Sequence, residues 1–536
     1  MKRPALLFAL FFCLQSQAQL SETWVADLGN GYYKNPILHA DYSDPDVMRY
    51  GNYFYMTASS FNCLPGLPIL QSTDLVNWKL VNHAIKKLEP AAVYDIPQHG
   101  KGIWAPSFAV RNGELRIYYP DPDFGIFMIK TKDPTGEWSK PVCVLQGRGY
   151  IDPAVTWDDA GRAYLCVAWA ASRAGINSIL TVYKMNNDGT KVIDDGAHVF
   201  DGHDMDPTLE GPKFYRRNGY YYILAPAGGV PTGWQLALRS RNIYGPYERK
   251  VVLETGDSAT NGPHQGGLIQ DGAGAWWFIH FQDREAYGRI THLQPVVWKN
   301  DWPVMGADPD GDGTGNPVNI FRKPTPLRAS KPVTPPESDE FNGGIGIQWQ
   351  WHANPKVQWS AAMPGSNYLR LFAFPSDSAK NMWNVPNLLM QKFPAPDFTA
   401  TTKVTLHIQQ NATEGKRAGL MITGNDYSSL YINSRDGSYF LQQAICRNAG
   451  KGGEEQVKDV TEIKDSTAFL RVRVSGPEGR CRFSYSLDGV AFKDIGEPFD
   501  AKPDMWIGAK AGIFCVGKPG TRTNGYADFD WFRVTK

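Results

Sequence analysis

A glycine turn followed by an aromatic-rich strand recurs five times in the first three hundred residues of this chain. The strand in each copy is rich in Tyr, Phe and Trp. The turn glycines are Gly51, Gly113, Gly161, Gly219 and Gly272. Their spacings of 62, 48, 58 and 53 residues each correspond to about one four-stranded blade. The repeat therefore predicts a five-bladed β-propeller.

Five residues stand seven to nine positions before these glycines and so occupy equivalent places in the five copies. They are Asp44, Trp104, Asp152, Glu210 and His264. Equivalent positions of successive blades lie at the same end of the central axis of a propeller. We therefore expect these side chains to converge on one cavity. Acidic residues scattered over a surface would not follow the repeat.

The composition favours an all-β protein with an uncharged partner. The 536 residues contain 55 Lys and Arg against 54 Asp and Glu, which leaves no charge excess for nucleic acid or an anionic membrane. The 17 Trp, 25 Tyr and 26 Phe favour strands and supply flat apolar faces suited to sugar rings, while 53 Gly and 38 Pro favour tight turns. The length exceeds that of one domain.

Residues 1–18 have the pattern of a secretory signal peptide. Lys2 and Arg3 precede an apolar run, and Ser16 and Ala18 stand at the −3 and −1 positions of a cleavage site. The apolar run is far shorter than the ~20 residues that span a bilayer. We therefore expect no membrane span and a periplasmic or secreted protein. The six cysteines beyond the leader have no zinc-ligand spacing and predict few or no disulfides.

The converging carboxylates fit the chemistry of glycosidic bond cleavage, which uses an acid on one face of the sugar and a second carboxylate on the other. Glu210, between apolar and rigid neighbours, is the candidate general acid, and Asp44 is the candidate base. Asp152 is placed to orient the acid and tune its pKa. Asp41 and Asp46 are interpreted as bystanders. Any single Asp-Pro or Glu-Gly-Pro sequence is also ordinary turn chemistry, and only the repeat singles these residues out.

Six motifs occur in the order found in glycoside hydrolase family 43, which residues 30 to 325 resemble. They are ADYSDPDV at 40–47, GIWAPS at 102–107, YIDP at 150–153, TLEGPK at 208–213, NGPHQG at 261–266 and GRITHLQP at 288–295. Members of that family are five-bladed propellers that hydrolyse with inversion, mostly as β-xylosidases, α-L-arabinofuranosidases and arabinanases. The resemblance implies that Asp44 is the base, Glu210 the acid and Asp152 the residue that tunes its pKa.

The same resemblance implies substrate contacts and a metal. Trp104 and Arg289 match substrate contacts, and Phe61 remains from an aromatic-rich stretch that continues here with Asn62 and Cys63. His264 matches an axial residue that approaches a calcium ion or water. Ca²⁺ at His264 is therefore one hypothesis, and a buried histidine bonded to solvent is the other.

A second domain follows the propeller predicted at 30–322. Residues 323–337 contain five prolines and predict a stiff linker, and alternating strands then predict a β-sandwich over 338–536. The run QWQW at 348–351 and the ending ADFDWF at 527–532 resemble the concanavalin-like C-terminal domain of family 43 xylosidases. In that group the sandwich leans on the propeller and narrows the active-site mouth, which implies cleavage from a chain end.

The predicted function is that of an inverting, exo-acting glycoside hydrolase. It would release terminal β-D-xylose or α-L-arabinofuranose from plant cell-wall oligosaccharides or polysaccharides. Two alternatives stay open, a carbohydrate-binding propeller without turnover and an endo-acting arabinanase. An acid paired with a base favours the enzyme, and a closing sandwich favours exo action. A homo-oligomer also stays open.

Overall fold

The computed structural model describes residues 20–362, 365–375, 379–408, 415–517 and 525–536, so the predicted signal peptide lies outside the described residues. The regular secondary structure of the described residues is almost all β-strand. Single helical turns lie at Ala91–Tyr94, Ala171–Ala174, Glu285–Tyr287, Val357–Trp359, Met382–Asn384 and Ala449–Lys451. None of the described helices is long and apolar enough to cross a membrane.

Five antiparallel sheets follow one another along the continuously described stretch 20–362 and form the propeller. Blades 1 to 3 consist of Asp46–Tyr50, Tyr53–Thr57, Gly66–Ser72, Trp78–Ile85; Ser107–Arg111, Glu114–Asp121, Gly125–Thr131, Val142–Gln146; and Tyr150–Trp157, Ala163–Trp169, Ile179–Lys184, Ala197–Asp201. Blades 4 and 5 consist of Lys213–Arg217, Tyr220–Ala227, Trp234–Ser240, Glu248–Leu253; and His264–Gln270, Trp276–Asp283, Arg289–Lys299, Leu38–Asp41, with Trp302–Met305 as an extra strand. The predicted five-bladed propeller is confirmed.

The ring of blades is closed by a strand from the start of the propeller. The first strands of blades 1 to 4 contact one another in turn, and that of blade 5 contacts both blade 4 and blade 1. Leu38–Asp41 becomes the outer strand of blade 5, with Leu38 opposite Thr291 and Asp41 opposite Ile290. A smaller pairing of Tyr32–Lys34 with Ile320–Arg322 joins the same two regions.

Two of the five repeated turns are tight hairpins in which two successive residues adopt the left-handed conformation. Asn112 and Gly113 have φ values of 52° and 73°, and Asn218 and Gly219 have values of 50° and 75°. This backbone suits the twist of a two-residue hairpin, and Asn and Gly tolerate it best. In blade 5 the left-handed glycine is Gly274, with φ 86°, rather than Gly272.

Two sheets packed face to face form the C-terminal β-sandwich, as predicted. One contains Gln350–Trp351, Leu389–Lys392, Lys510–Gly517, Arg417–Thr423, Tyr427–Arg435, Ser438–Cys446 and Glu455–Ile463, with Phe374–Pro375 beside it. The other contains Ser360–Ala361, Leu369–Phe372, Gly525–Thr535, Phe398–Ile408, Thr467–Ser475, Arg480–Ser486 and Lys493–Asp494, with Phe499–Asp500 beside it. Their facing side chains form one apolar core.

The sandwich packs closely on the propeller. Tyr287 and Ile290 of blade 5 belong to the same apolar cluster as the sandwich core. The backbones of Leu64 and Trp351 exchange two hydrogen bonds, and the Asn62 side chain donates to the carbonyl of His352 at 2.7 Å. Asn62 thus faces the sandwich.

All six described cysteines are free thiols, as predicted.

Candidate active site

A cavity of about 300 Å³ opens at the end of the axis where the first strands of the blades begin. Six residues singled out from the sequence line it, namely Asp44, Phe61, Trp104, Asp152, Glu210 and Arg289. Gln265 and Trp506 line it as well. His264 lies fully buried behind Glu210, with its Nε2 at 3.1 Å from Glu210 Oε1. The phase of the repeat therefore does bring these side chains together.

The local backbone that presents two of the carboxylates is strained. Asp44 and Asp152 have φ values of 53° and 55°, a region that few residues other than glycine adopt. Asp152 also lies in a β-bulge, because the pairing register of its strand shifts between Ile151 and Ala154. Such strain costs roughly 1–3 kcal/mol per residue and is typical of functional sites. A bulge of this kind re-aims the side chain of Asp152, and both carboxyl groups line the cavity.

The carboxylate of Asp44 is held by three donors. Ser43 Oγ and Ser59 Oγ donate to Oδ2 at 2.7 and 2.6 Å, and Arg289 Nη1 donates to Oδ1 at 2.8 Å. The side chain is 7% exposed. Each carboxylate oxygen accepts two hydrogen bonds, so one acceptor position of Oδ1 is left for a water molecule. The three donors stabilise the carboxylate, and its free acceptor position can take a proton from a bound water molecule, as a general base does.

Asp152 and Glu210 line the same cavity as Asp44. Asp152 is 4% exposed and accepts a hydrogen bond from the N–H of Gly211 at 2.8 Å. Burial, followed by repulsion from Glu210 and Asp44, raises the pKa of Asp152 well above its ordinary value. Asp152 therefore keeps its proton to a higher pH than an isolated carboxyl group does.

The sequence around Glu210 predicts an enclosed carboxyl group, but the buried carboxyl group is that of Asp152. A third of the Glu210 side chain, 34%, is exposed to solvent. Its apolar sequence neighbours do not cover it, because the cavity opens on that side. Glu210 is therefore accessible from the cavity, whereas Asp152 is buried.

Aromatic and cationic side chains form the wall of the cavity. Trp104 and Phe61 lie with ring centroids 6.2 Å apart, and Phe61 is only 2% exposed, so it supports Trp104 from behind. Burial lowers the pKa of Arg289, but the charges of Asp44, Asp283, Glu210 and Asp41 outweigh it and raise the pKa. Arg289 therefore stays charged.

A loop of the sandwich completes the wall. Trp506 lies with its ring 6.2 Å from the ring of Trp104 and 5.8 Å from the guanidinium carbon of Arg289. It also borders a second cavity of about 520 Å³, which shares Val230, Pro231 and Arg289 with the first. The sandwich thus narrows the mouth, as the resemblance implied.

Three contributors to the site were not identified from the sequence. Ser59 binds Asp44, and Trp506 reaches the cavity from the other domain. Asp41, interpreted as a bystander, accepts from the backbone N–H groups of Arg289 at 2.9 Å and Gly508 at 3.1 Å. Asp46 lies deeper, where its carboxylate accepts from the N–H of Phe108 at 2.6 Å. No local pattern marks contacts between such distant segments.

The fold and the site together define a class of carbohydrate-cleaving enzyme, and comparison with known families gives the same result. Residues 33–303 match the model of glycosyl hydrolases family 43. Residues 338–535 match the beta xylosidase C-terminal concanavalin A-like domain. The chain belongs to glycosyl hydrolase family 43 and is a glycoside hydrolase.

Individual relatives match along nearly the whole chain. A protein of Xylanibacter ruminicola is 36% identical over 91% of this chain and 86% of its own. A beta-xylosidase of Formosa agariphila is 31% identical over 94% and 90%. A non-reducing end alpha-L-arabinofuranosidase of Bacteroides ovatus is 28% identical over 95% and 96%. The solved structure titled Bacteroides ovatus Xyloglucan PUL GH43B is 25% identical, with a TM-score of 0.80 over 94% of this chain and 99% of its own.

Proposed function

We propose that this protein is an inverting, exo-acting glycoside hydrolase that releases terminal β-D-xylose or α-L-arabinofuranose from plant cell-wall oligosaccharides or polysaccharides. The observation that carries the proposal is the placement of Asp44 and Glu210 in one small cavity, with an aromatic wall and a mouth narrowed by the sandwich. The relatives named for xylose and for arabinofuranose support the two pentoses alike.

The proposed mechanism uses one carboxyl group on each side of the bond. Glu210 donates its proton to the leaving oxygen while the bond to the anomeric carbon breaks. Asp44 accepts a proton from a water molecule that attacks the anomeric carbon from the other face, which inverts its configuration. Asp152 helps keep this proton available to Glu210 until it is transferred to the leaving oxygen. Arg289 holds Asp44, and Trp104 with Phe61 behind it supports the sugar ring.

The two alternative functions fit these contacts less well. A binding module needs no general acid paired with a base. Here Asp44 is held by Ser43, Ser59 and Arg289, and Glu210 contacts His264. An endo-acting arabinanase needs an open groove for a chain that continues on both sides, whereas Trp506 of the sandwich lies across the mouth. The exo-acting enzyme accounts for both observations.

The proposal is tested with a panel of aryl pentosides and hexosides. We expect hydrolysis of an aryl β-D-xyloside, an aryl α-L-arabinofuranoside or both, and at least about 10²-fold lower kcat/KM on hexosides, because a small cavity excludes the extra hydroxymethyl group. Proton NMR of the first-formed sugar is expected to show the inverted anomer. A retained anomer would reject the mechanism, and hydrolysis of none of these substrates would reject the proposed function.

We also propose that a hydrated Ca²⁺ binds near His264. What supports it is the buried Nδ1 of His264, which has no hydrogen-bond partner, while Nε2 already faces Glu210. A hard cation that keeps several of its waters suits such a position. When bound, the ion would supply positive charge that favours the ionised form of nearby carboxyl groups.

Exhaustive chelation is the test of this metal proposal. We expect chelator to lower kcat and the melting temperature, and added Ca²⁺, but not Mg²⁺, to restore both. Direct metal analysis of the dialysed protein would then give about one Ca²⁺ per chain. An unchanged activity and melting temperature, with no metal found, would leave His264 as a structural residue bonded to water.

Export from the cytoplasm is proposed on the sequence of residues 1–18 alone. We expect the mature protein to begin after Ala18, in the periplasm or the medium. N-terminal sequencing of the protein recovered from each fraction of the producing cell checks this expectation. A full-length chain in the cytoplasm would contradict it.

A further inference from the structure

His99 connects the propeller to the sandwich at a point just outside the catalytic cavity. It lies in the connection between blades 1 and 2, and its Nδ1 donates to the carboxylate of Asp504 in the sandwich. Its Nε2 donates to the carbonyl of Trp383 at 2.9 Å, and the Trp383 ring stacks on the imidazole at 3.5 Å. The side chains of His99 and Asp504 are only 3% and 7% exposed.

The partners of His99 define its charge state. A carboxylate oxygen and a carbonyl oxygen only accept hydrogen bonds, so both ring nitrogens must donate, and an imidazole that donates from both carries a positive charge. Burial raises the pKa of Asp504, but the charge of His99, its hydrogen bond and the N–H of Met505 lower it below its ordinary value. The two groups form a buried ion pair with further hydrogen bonds on each side.

Asp504 begins the loop that carries Trp506. Its backbone N–H donates to the carbonyl of Ile507 at 2.9 Å, which leaves Met505 and Trp506 as a two-residue tip. Trp506 has a φ of 67°, a conformation rare for a large aromatic residue. A strained residue keeps such a conformation only where its surroundings fix it.

Both ends of the loop are fixed by the propeller. Asp504 is bonded by His99 at one end, and the N–H of Gly508 donates to Asp41 at the other. Met505 packs directly over Gly100, where an added Cβ would lie 2.5 Å from its sulfur. The carbonyl of Gly100 in turn accepts from the indole N–H of Trp104 at 3.0 Å. His99 therefore anchors a series of contacts that runs through Asp504 and Met505 and ends at Trp104 in the wall of the catalytic cavity.

We propose that His99 is a positioning residue that acts through Asp504 to hold Trp506 against the sugar beyond the cleaved bond. Trp506 borders both the catalytic cavity and the adjoining larger one, so it is placed where a leaving-group sugar emerges. The inference rests on the proposed function for its kinetic consequence, whereas the anchoring of the loop is independent of turnover.

The kinetic test compares His99→Gln, Trp506→Ala and the double variant on a pentose disaccharide and on the corresponding pentosyl fluoride. We expect His99→Gln to raise KM for the disaccharide about tenfold with kcat changed less than about threefold, and to change the kinetics on the fluoride several-fold less, because the fluoride has no leaving-group sugar to contact Trp506. In the Trp506→Ala background, His99→Gln should add less than about twofold. Additive effects, or equal effects on both substrates, would overturn the proposal.

His203→Gln is the matched control. It removes a second His–Asp pair, with Asp201 at 2.6 Å, whose side chains are 50% and 68% exposed and which contacts neither cavity. We expect it to behave as the parent protein. Melting temperatures are measured throughout, and Asp504→Asn, which keeps the shape of the side chain, replaces His99→Gln if the latter does not fold.

Hydrogen exchange separates a failure of this proposal from a failure of the proposed function. Even if the parent protein cleaves none of the substrates, His99→Gln should speed amide exchange in the 503–508 loop by about tenfold, while His203→Gln should not. Unchanged exchange in the loop would show that His99 does not hold it. Exchange that rises across the whole sandwich would indicate general destabilisation and equally overturn the positioning role.

Discussion

Glu210→Gln is expected to reduce kcat/KM on a natural disaccharide by about 10²–10⁴-fold, the usual contribution of a general acid. Glutamine keeps the size of the side chain and a hydrogen-bonding group facing His264, but it has no acidic proton for the leaving oxygen. The loss should be much smaller for an aryl glycoside whose leaving group departs without protonation. This dependence on the leaving group is what identifies an acid.

The measurement is a series of aryl glycosides of decreasing leaving-group pKa, with the disaccharide at the other extreme. Glu137→Gln, at an exposed position of the propeller, is the matched control and should keep full activity. A loss below tenfold on the disaccharide, or a loss equal for all leaving groups, would remove Glu210 from the role of acid.

Asp44→Asn is expected to lower kcat by a similar factor of about 10²–10⁴, because the water then has no acceptor for its proton. Here the loss should not depend on the leaving group, since attack by water remains impaired for every substrate. The amide also places an N–H group or a weaker acceptor opposite Arg289, so KM should change together with kcat. Steady-state kinetics on the same aryl series measures both effects.

Asp159→Asn controls for the loss of a carboxylate, because Asp159 is 90% exposed and pairs with Arg216 on the surface. The far-ultraviolet circular dichroism and melting temperature of Asp44→Asn should show that the variant is folded. Activity within tenfold of the parent would contradict the assignment of the base. External azide that restores activity and gives a glycosyl azide of inverted configuration would, in contrast, support a missing group on that face of the sugar.

The repeat was the reliable guide to the site because turn glycines and blade strands obey local rules. Hairpins such as that at Asn218 and Gly219 fix where each blade turns, and the residues seven to nine positions before the turn glycines then lie at the axis. Local sequence does not determine burial, which depends on how all five blades meet. For that reason the enclosed carboxyl is Asp152 and not Glu210, although both have apolar neighbours in the sequence.

The resemblance implied that the sandwich leans on the propeller, but nothing in the sequence identified the residues that make the contacts. Trp506 reaches the cavity through a pairing of Gly508 with Asp41, which is 467 residues away in the chain. A Trp that follows a Pro-Asp turn is an ordinary surface feature when read alone. Asn62 and Cys63 show the same difficulty, since their departure from an aromatic-rich stretch becomes intelligible only once the sandwich is seen to cover them.

The strand Leu38–Asp41, which closes the ring, also determines when the catalytic centre can form during folding. Asp41 lies 248 residues before Arg289, to whose backbone it binds, so this edge stays unpaired until blade 5 has been synthesised. Pairings so distant along the chain form slowly, and open strand edges are prone to wrong partners meanwhile. Because the same carboxylate also binds Gly508, Arg289 acquires its final support only when the sandwich has docked. Hydrolytic competence is therefore a late event in folding, and partly folded chains should be inert toward substrate.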